Sequence, residues 1–205
     1  LAIEMAALAL IALIFLALRL PGIDLPFHQD EAKIAIIAHE QIVGSLAAHP
    51  PLTELLWRWS GQLLDAMNLR VVPLVFSAMT AFLLYAVVRP RGGVLAALAA
   101  LGLYVLCAYS VLASLMLDTD GAVLPLLFLG VVYAYDRVLA SATRRTQAVW
   151  TAVCAAILIT GLLVKLSFIL VLAALTVDFF FVAKGKLSAS AFRIGFGALM
   201  AAGVI

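Results

Sequence analysis

Apolar residues run along this chain in blocks long enough to cross a bilayer, separated by short polar stretches. A spanning helix needs about 20 predominantly apolar residues. The first block covers roughly Leu1–Leu20 and stops at Pro21-Gly22, a pair that punctuates helices. Residues 21–69 are more polar. Further blocks follow at about Val71–Val88, Val94–Ala113, Ala122–Leu139, Ala148–Val164 and Leu166–Ala183, and another begins near Ile194. Within the polar stretch, Leu52–Met67 carries apolar residues at helical spacing opposite Glu54, Arg58, Gln62 and Asp65. Such a two-faced helix lies in the membrane interface better than it spans, and Trp57 and Trp59 suit the headgroup belt. If it spanned instead, every later loop would change sides. The pattern predicts an all-α polytopic membrane protein with about six to seven transmembrane helices and interfacial helices in a first extracytoplasmic loop at 21–69.

Composition agrees and narrows the class. Of 205 residues, 66% are hydrophobic and 12% charged, with a mean hydropathy of +1.20. Soluble domains run near about 45–50% apolar and about 25% charged. That excludes a soluble enzyme, a disordered tail and a nucleic-acid binder. Cys107 and Cys154 each sit inside an apolar run, giving neither a zinc spacing nor a disulfide framework. The chain begins and stops inside apolar stretches, so residues 1–205 are expected to form a single transmembrane module belonging to a longer protein.

Charge then orients the module. Arg89, Arg91, Arg137, Arg144, Arg145, Lys184, Lys186 and Arg193 fall in alternate short loops, which the positive-inside rule places in the cytoplasm. The opposite side receives Asp24, Asp30, Glu31, Glu40, Glu54, Asp65, Asp118 and Asp120. Two acidic clusters on that side carry candidate chemistry. Asp30-Glu31 opens a helical run, where acidic residues also complement the helix dipole. Asp118-Thr119-Asp120 sits at a turn, where it also suits a cap. Carboxylates meeting at a membrane face can hold a divalent cation, for which Asp30 and Asp118 are the candidate ligands, or accept a proton from a nucleophile. Lys165 interrupts an apolar run at the same outer end. It either snorkels or meets an anion such as a phosphate. His49 precedes Pro50-Pro51 as a polar loop residue or a ligand for phosphate or metal; His39 and Asp178 read as structural.

These motifs in this order resemble a known family: an apolar helix, Asp30-Glu31, His49-Pro50-Pro51-Leu52, Leu69-Arg70, Leu117-Asp118-Thr119 and Gly161-Leu162-Leu163-Val164-Lys165. The chain is similar, over about residues 1–183, to the N-terminal half of the C-type membrane glycosyltransferases. Within that family it looks closest to the dolichyl-phosphate-mannose protein mannosyltransferases and the bacterial lipid A aminoarabinose transferases. The resemblance implies an inverting transfer of a sugar from a polyprenyl-phosphate carrier to a lipid, protein or glycan acceptor at the extracytoplasmic face, in a bacterial inner membrane. It makes Asp30 and Glu31 the catalytic carboxylates, with Asp30 the general base, and places Asp118, Lys165 and His49 at the donor phosphate. His49 departs from the lysine usual before the two prolines in the aminoarabinose transferases. A transporter or lipid flippase using the intramembrane charges is the alternative, and a non-catalytic membrane subunit a third.

Overall fold

The computed structural model describes residues 1–39, 51–178 and 181, and every regular element among them is helical. The chain divides into two compact units, residues 1–48 with 53–126 and residues 49–52 with 127–205. Among the described residues four helices are long and apolar enough to cross a membrane: Ala2–Gly22, Val71–Leu106, Thr119–Ala140 and Arg144–Val164. The protein is therefore built as a helical membrane protein.

The first unit starts with α1 (Ala2–Arg19), extended by a 3-10 turn over Leu20–Gly22. Next come α2 (Gln29–His39) and α3 (Pro51–Leu63), the latter overlapping the two-faced Leu52–Met67 segment. Helix α4 (Val71–Leu106) merges two blocks that the hydropathy pattern separates. It is not one rod. Gly93 adopts φ 77° and ψ 179°, a backbone region that essentially only glycine occupies, and the helix folds there. A straight helix would hold positions 27 apart about 40 Å from each other, yet the hydroxyls of Ser77 and Tyr104 lie 2.9 Å apart. The two arms therefore run back along each other.

Helix α1 packs against this hairpin. Phe15, Ala81, Leu101 and Val105 form the buried centre, flanked by Leu8, Ile11, Ile14, Leu74, Tyr85 and Tyr104. At one end Glu4 pairs with Arg89 (3.0 Å) and accepts from the Tyr85 hydroxyl. Apolar side chains on the outward faces, Ile3, Leu10, Leu13, Phe82, Leu95 and Leu103 among them, stay exposed, as lipid-facing positions should.

The second arm departs from the expected helix over 94–113. Cys107 is extended (φ −64°, ψ 121°) and separates α4 from a short α5 (Ala108–Ala113). Helix α6 (Thr119–Ala140) then leaves the first unit. In the second unit, α7 (Arg144–Val164) begins at Thr143, whose side chain accepts from the Thr146 N–H (3.2 Å), an N-cap. Tyr133 and Trp150 meet edge to face at 5.9 Å. Lys165 ends α7 in extended conformation, and after a 3-10 turn over Leu166–Phe168, α8 (Ile169–Asp178) follows. The block boundaries at 164 and 166 match the sequence pattern, whereas the block near Ile194 lies outside the described residues. Asp178, a charge in an apolar helix, accepts the Tyr135 hydroxyl at 2.5 Å.

Candidate site at the acidic end of the first unit

Two acidic segments meet at the end of the first unit opposite the Glu4–Arg89 pair. The link between them is Glu31. Its carboxylate is 3% exposed, and each oxygen takes two N–H donors. Oε2 accepts from the His28 backbone (2.7 Å) and Arg70 Nη2 (3.0 Å); Oε1 accepts from Arg70 Nε (3.3 Å) and the Leu117 backbone (3.0 Å). The His28 bond is the Glu half of a capping box, the third helical side chain reaching back to the N-cap amide. Sequence dictates that much locally. The Leu117 bond is tertiary and brings the segment that carries Asp118 against the start of α2.

Arg70 is the cation that makes a buried carboxylate tolerable there. It is itself 3% exposed, and besides Glu31 it donates to the carbonyls of Gly22 (3.1 Å), Leu25 (2.5 Å) and Pro26 (3.0 Å). A guanidinium has five N–H donors in a rigid fork, and these contacts use all of them. Its plane lies 5.1 Å from the centroid of Phe27. The loop after α1 is thereby wrapped around one side chain. Beneath it Ala35, Ala38, Trp57, Leu69 and Leu117 form a buried apolar cluster that docks α2 and α3.

Asp118 caps α6. Its Oδ2 accepts the Gly121 N–H at 3.1 Å, the N-cap to third-residue bond, and the side chain is half-buried. Gly121 is tight against Ala113, so the turn between α5 and α6 is closely packed. Asp30 occupies the second position of α2, next to Glu31 in sequence; its side chain lies outside the described residues, as does all of His49. Among the described residues no group of three or more His, Cys, Asp or Glu converges as a metal site.

In the second unit Lys165 sits at the break between α7 and α8, half-buried, its N–H bonded to the Gly161 carbonyl (2.8 Å). Gly161 lies flat under the Phe168 ring, which a methyl group would overlap. This close approach sets the turn that carries Lys165.

One buried charge escaped the sequence reading. Arg19, in the last turn of α1, is fully buried. It donates through Nε to Ser114 Oγ (2.9 Å), through Nη2 to Ser110 Oγ (3.0 Å), and through Nη1 to the carbonyls of Val105 (3.2 Å) and Phe15 (3.5 Å). Its signal in the sequence is an arginine embedded in an apolar run before Pro21, where a snorkelling side chain is the ordinary expectation.

No protein-family model matches this chain, and no curated protein or solved structure matches it.

Proposed function

We propose that the chain carries a membrane glycosyltransferase module, one that moves a sugar from a polyprenyl-phosphate carrier to an acceptor hydroxyl at the extracytoplasmic face. The observation that carries this reading is the Leu117 N–H···Glu31 bond. It brings the two acidic segments, 30–31 and 117–118, to one end of a helical membrane unit. A transferase of this kind gains from a carboxylate that can take the acceptor's proton.

In the proposed reaction Asp30 takes the proton of the acceptor hydroxyl. The acceptor oxygen then bonds to the anomeric carbon, the bond from that carbon to the carrier phosphate oxygen breaks, and the electron pair leaves on the phosphate. Direct displacement inverts the anomeric centre. The leaving phosphate gains negative charge, which a cation beside it would offset; the family resemblance of the sequence assigns that role to Lys165 and His49. A divalent ion, if the enzyme uses one, would supply the same charge stabilisation. Asp118 orders the donor site. Glu31, saturated by four N–H donors, serves by holding the first turn of α2 and the 117–118 segment together. Counting the arms of α4 separately makes five spans of the four long apolar helices; in this reading the segments expected at Leu166–Ala183 and from Ile194 bring the module to six or seven, and the basic loops face the cytoplasm of a bacterial cell.

Asp30→Asn tests the base. General base catalysis contributes about 10²–10⁴-fold, so sugar transfer from an undecaprenyl-phosphate donor should fall by that factor while membrane insertion stays normal. Wild-type transfer by this variant overturns the assignment.

A further inference from the structure

Helix breaks inside a membrane leave backbone carbonyls without donors, and each such group is costly in hydrocarbon. The break at Cys107 is one. The extended residue interrupts the i→i−4 ladder, so the Val105 carbonyl loses the donor it would have from Tyr109. Arg19 Nη1 supplies one instead, from a different helix. The same guanidinium reaches past the break to Ser110 and Ser114, which are one helical turn apart and share a face. It rests on the Phe15 ring, 4.0 Å from the centroid. One side chain therefore spans the break, holding a carbonyl on its near side and two hydroxyls on its far side. Its acceptors among the described residues are all uncharged. A positive charge kept fully buried on neutral groups is expensive, and a helix that merely continued through 107 would not need it.

What lies downstream gives the bend a purpose. Ser114 opens the turn that runs through Leu117, bonded to Glu31, to Asp118, the cap of α6. We infer that Arg19 is a positioning residue: by clamping the α4–α5 break it sets the direction of α5 and thereby the place of Asp118 at the donor site. This rests on the glycosyltransferase reading of Asp118. A point-charge ammonium cannot reproduce the fork, so lysine should not substitute.

The test uses the full chain in lipid nanodiscs with Cys154→Ala, leaving a nitroxide on Cys107, which is exposed at the break. Arg19→Met, Arg19→Lys and the double variant Ser110→Ala/Ser114→Ala are compared with the parent. Two quantities are read: the mobility of the nitroxide, and binding of undecaprenyl monophosphate by microscale thermophoresis. Loss of the clamp should sharpen the nitroxide spectrum in all three variants. Roughly tenfold weaker carrier binding, about the size of one lost hydrogen bond, is expected for Arg19→Met, with no recovery in Arg19→Lys. An unchanged spectrum in folded Arg19→Met overturns the clamp. A sharpened spectrum with intact carrier binding overturns the donor-site role of Asp118 while leaving the clamp in place. Should Arg19→Met fail to insert, the serine double variant decides both points by the same two readings.

Discussion

Removing either member of the Glu31–Arg70 pair would leave a charge buried with nothing to offset it, which is where large losses of stability arise. Breaking such a pair typically costs about 3–5 kcal/mol. Glu31→Gln is the more informative change, because it keeps the shape. Whichever way the amide turns, its NH2 faces N–H donors, His28 and Arg70 on one side or Leu117 and Arg70 on the other. The variant should therefore lose a large part of its thermal midpoint, followed by fluorescence-detected size exclusion. A midpoint within a degree or two of the parent would show that the network is dispensable. Arg70→Lys should fare little better, since one ammonium cannot serve four separate acceptors. The sequence made part of this visible. Asp30-Glu31 reads as an acidic helix start, and Asp118 before α6 reads as a cap. The partners from far along the chain do not show, because Arg70 lies 39 residues from Glu31 and Leu117 lies 86 from it. Arg19 was hidden for the same reason: three of its four acceptors lie 86 to 95 residues away on a segment whose helix had first to break.

Elements were more legible than their contacts. Hydropathy located α1, α6 and α7 to within a few residues, and two-faced spacing located α3, whose Glu54–Arg58 pair forms at 2.6 Å. It did not say which face of α3 would be covered. Trp57 is buried and Trp59 is 59% exposed, although both read alike as belt residues. Periodicity sorts apolar from polar positions, whereas the docking of α3 is decided by a close approach to α2. Gly61 is the point of contact: a methyl there would overlap the backbone carbonyl of Ala38. Helix propensity alone favours Ala over Gly by about 1 kcal/mol. Overpacking costs about 1–3 kcal/mol, and a backbone atom cannot swing aside, so the clash should win. Gly61→Ala is expected to destabilise the protein by up to about 2 kcal/mol net of propensity. Gly102, where an added methyl meets nothing, is the control, and Gly102→Ala should be neutral or mildly stabilising. Equal melting of the two variants would refute the close packing of α3 on α2.

At the scale of the molecule, the distribution of charge predicted sidedness, and one glycine decides whether that prediction is physically possible. A 36-residue helix is about 54 Å long, far more than the roughly 30 Å hydrocarbon core it would have to fit. Folded at Gly93, the first arm of 22 residues is about 33 Å, which matches the core. The fold returns the chain to the end where it began, so Arg91 and Asp118 belong to opposite ends of the first unit. Single cysteines at these two positions should therefore react with an impermeant maleimide from opposite sides of the membrane: Asp118→Cys in intact cells, Arg91→Cys only after the inner face is opened. A straight crossing over Val71–Leu106 would carry the chain through to the far side, and both positions would then react from the same side. Gly93→Ala sharpens the test, because φ 77° with ψ 179° costs a non-glycine residue about 1–3 kcal/mol. That variant should keep the same labelling pattern with a lower melting midpoint if the bend is fixed by the packing of α1 between Glu4–Arg89 and Phe15. Labelling of both cysteines from the same side in its background would mean that Gly93 alone makes the hairpin.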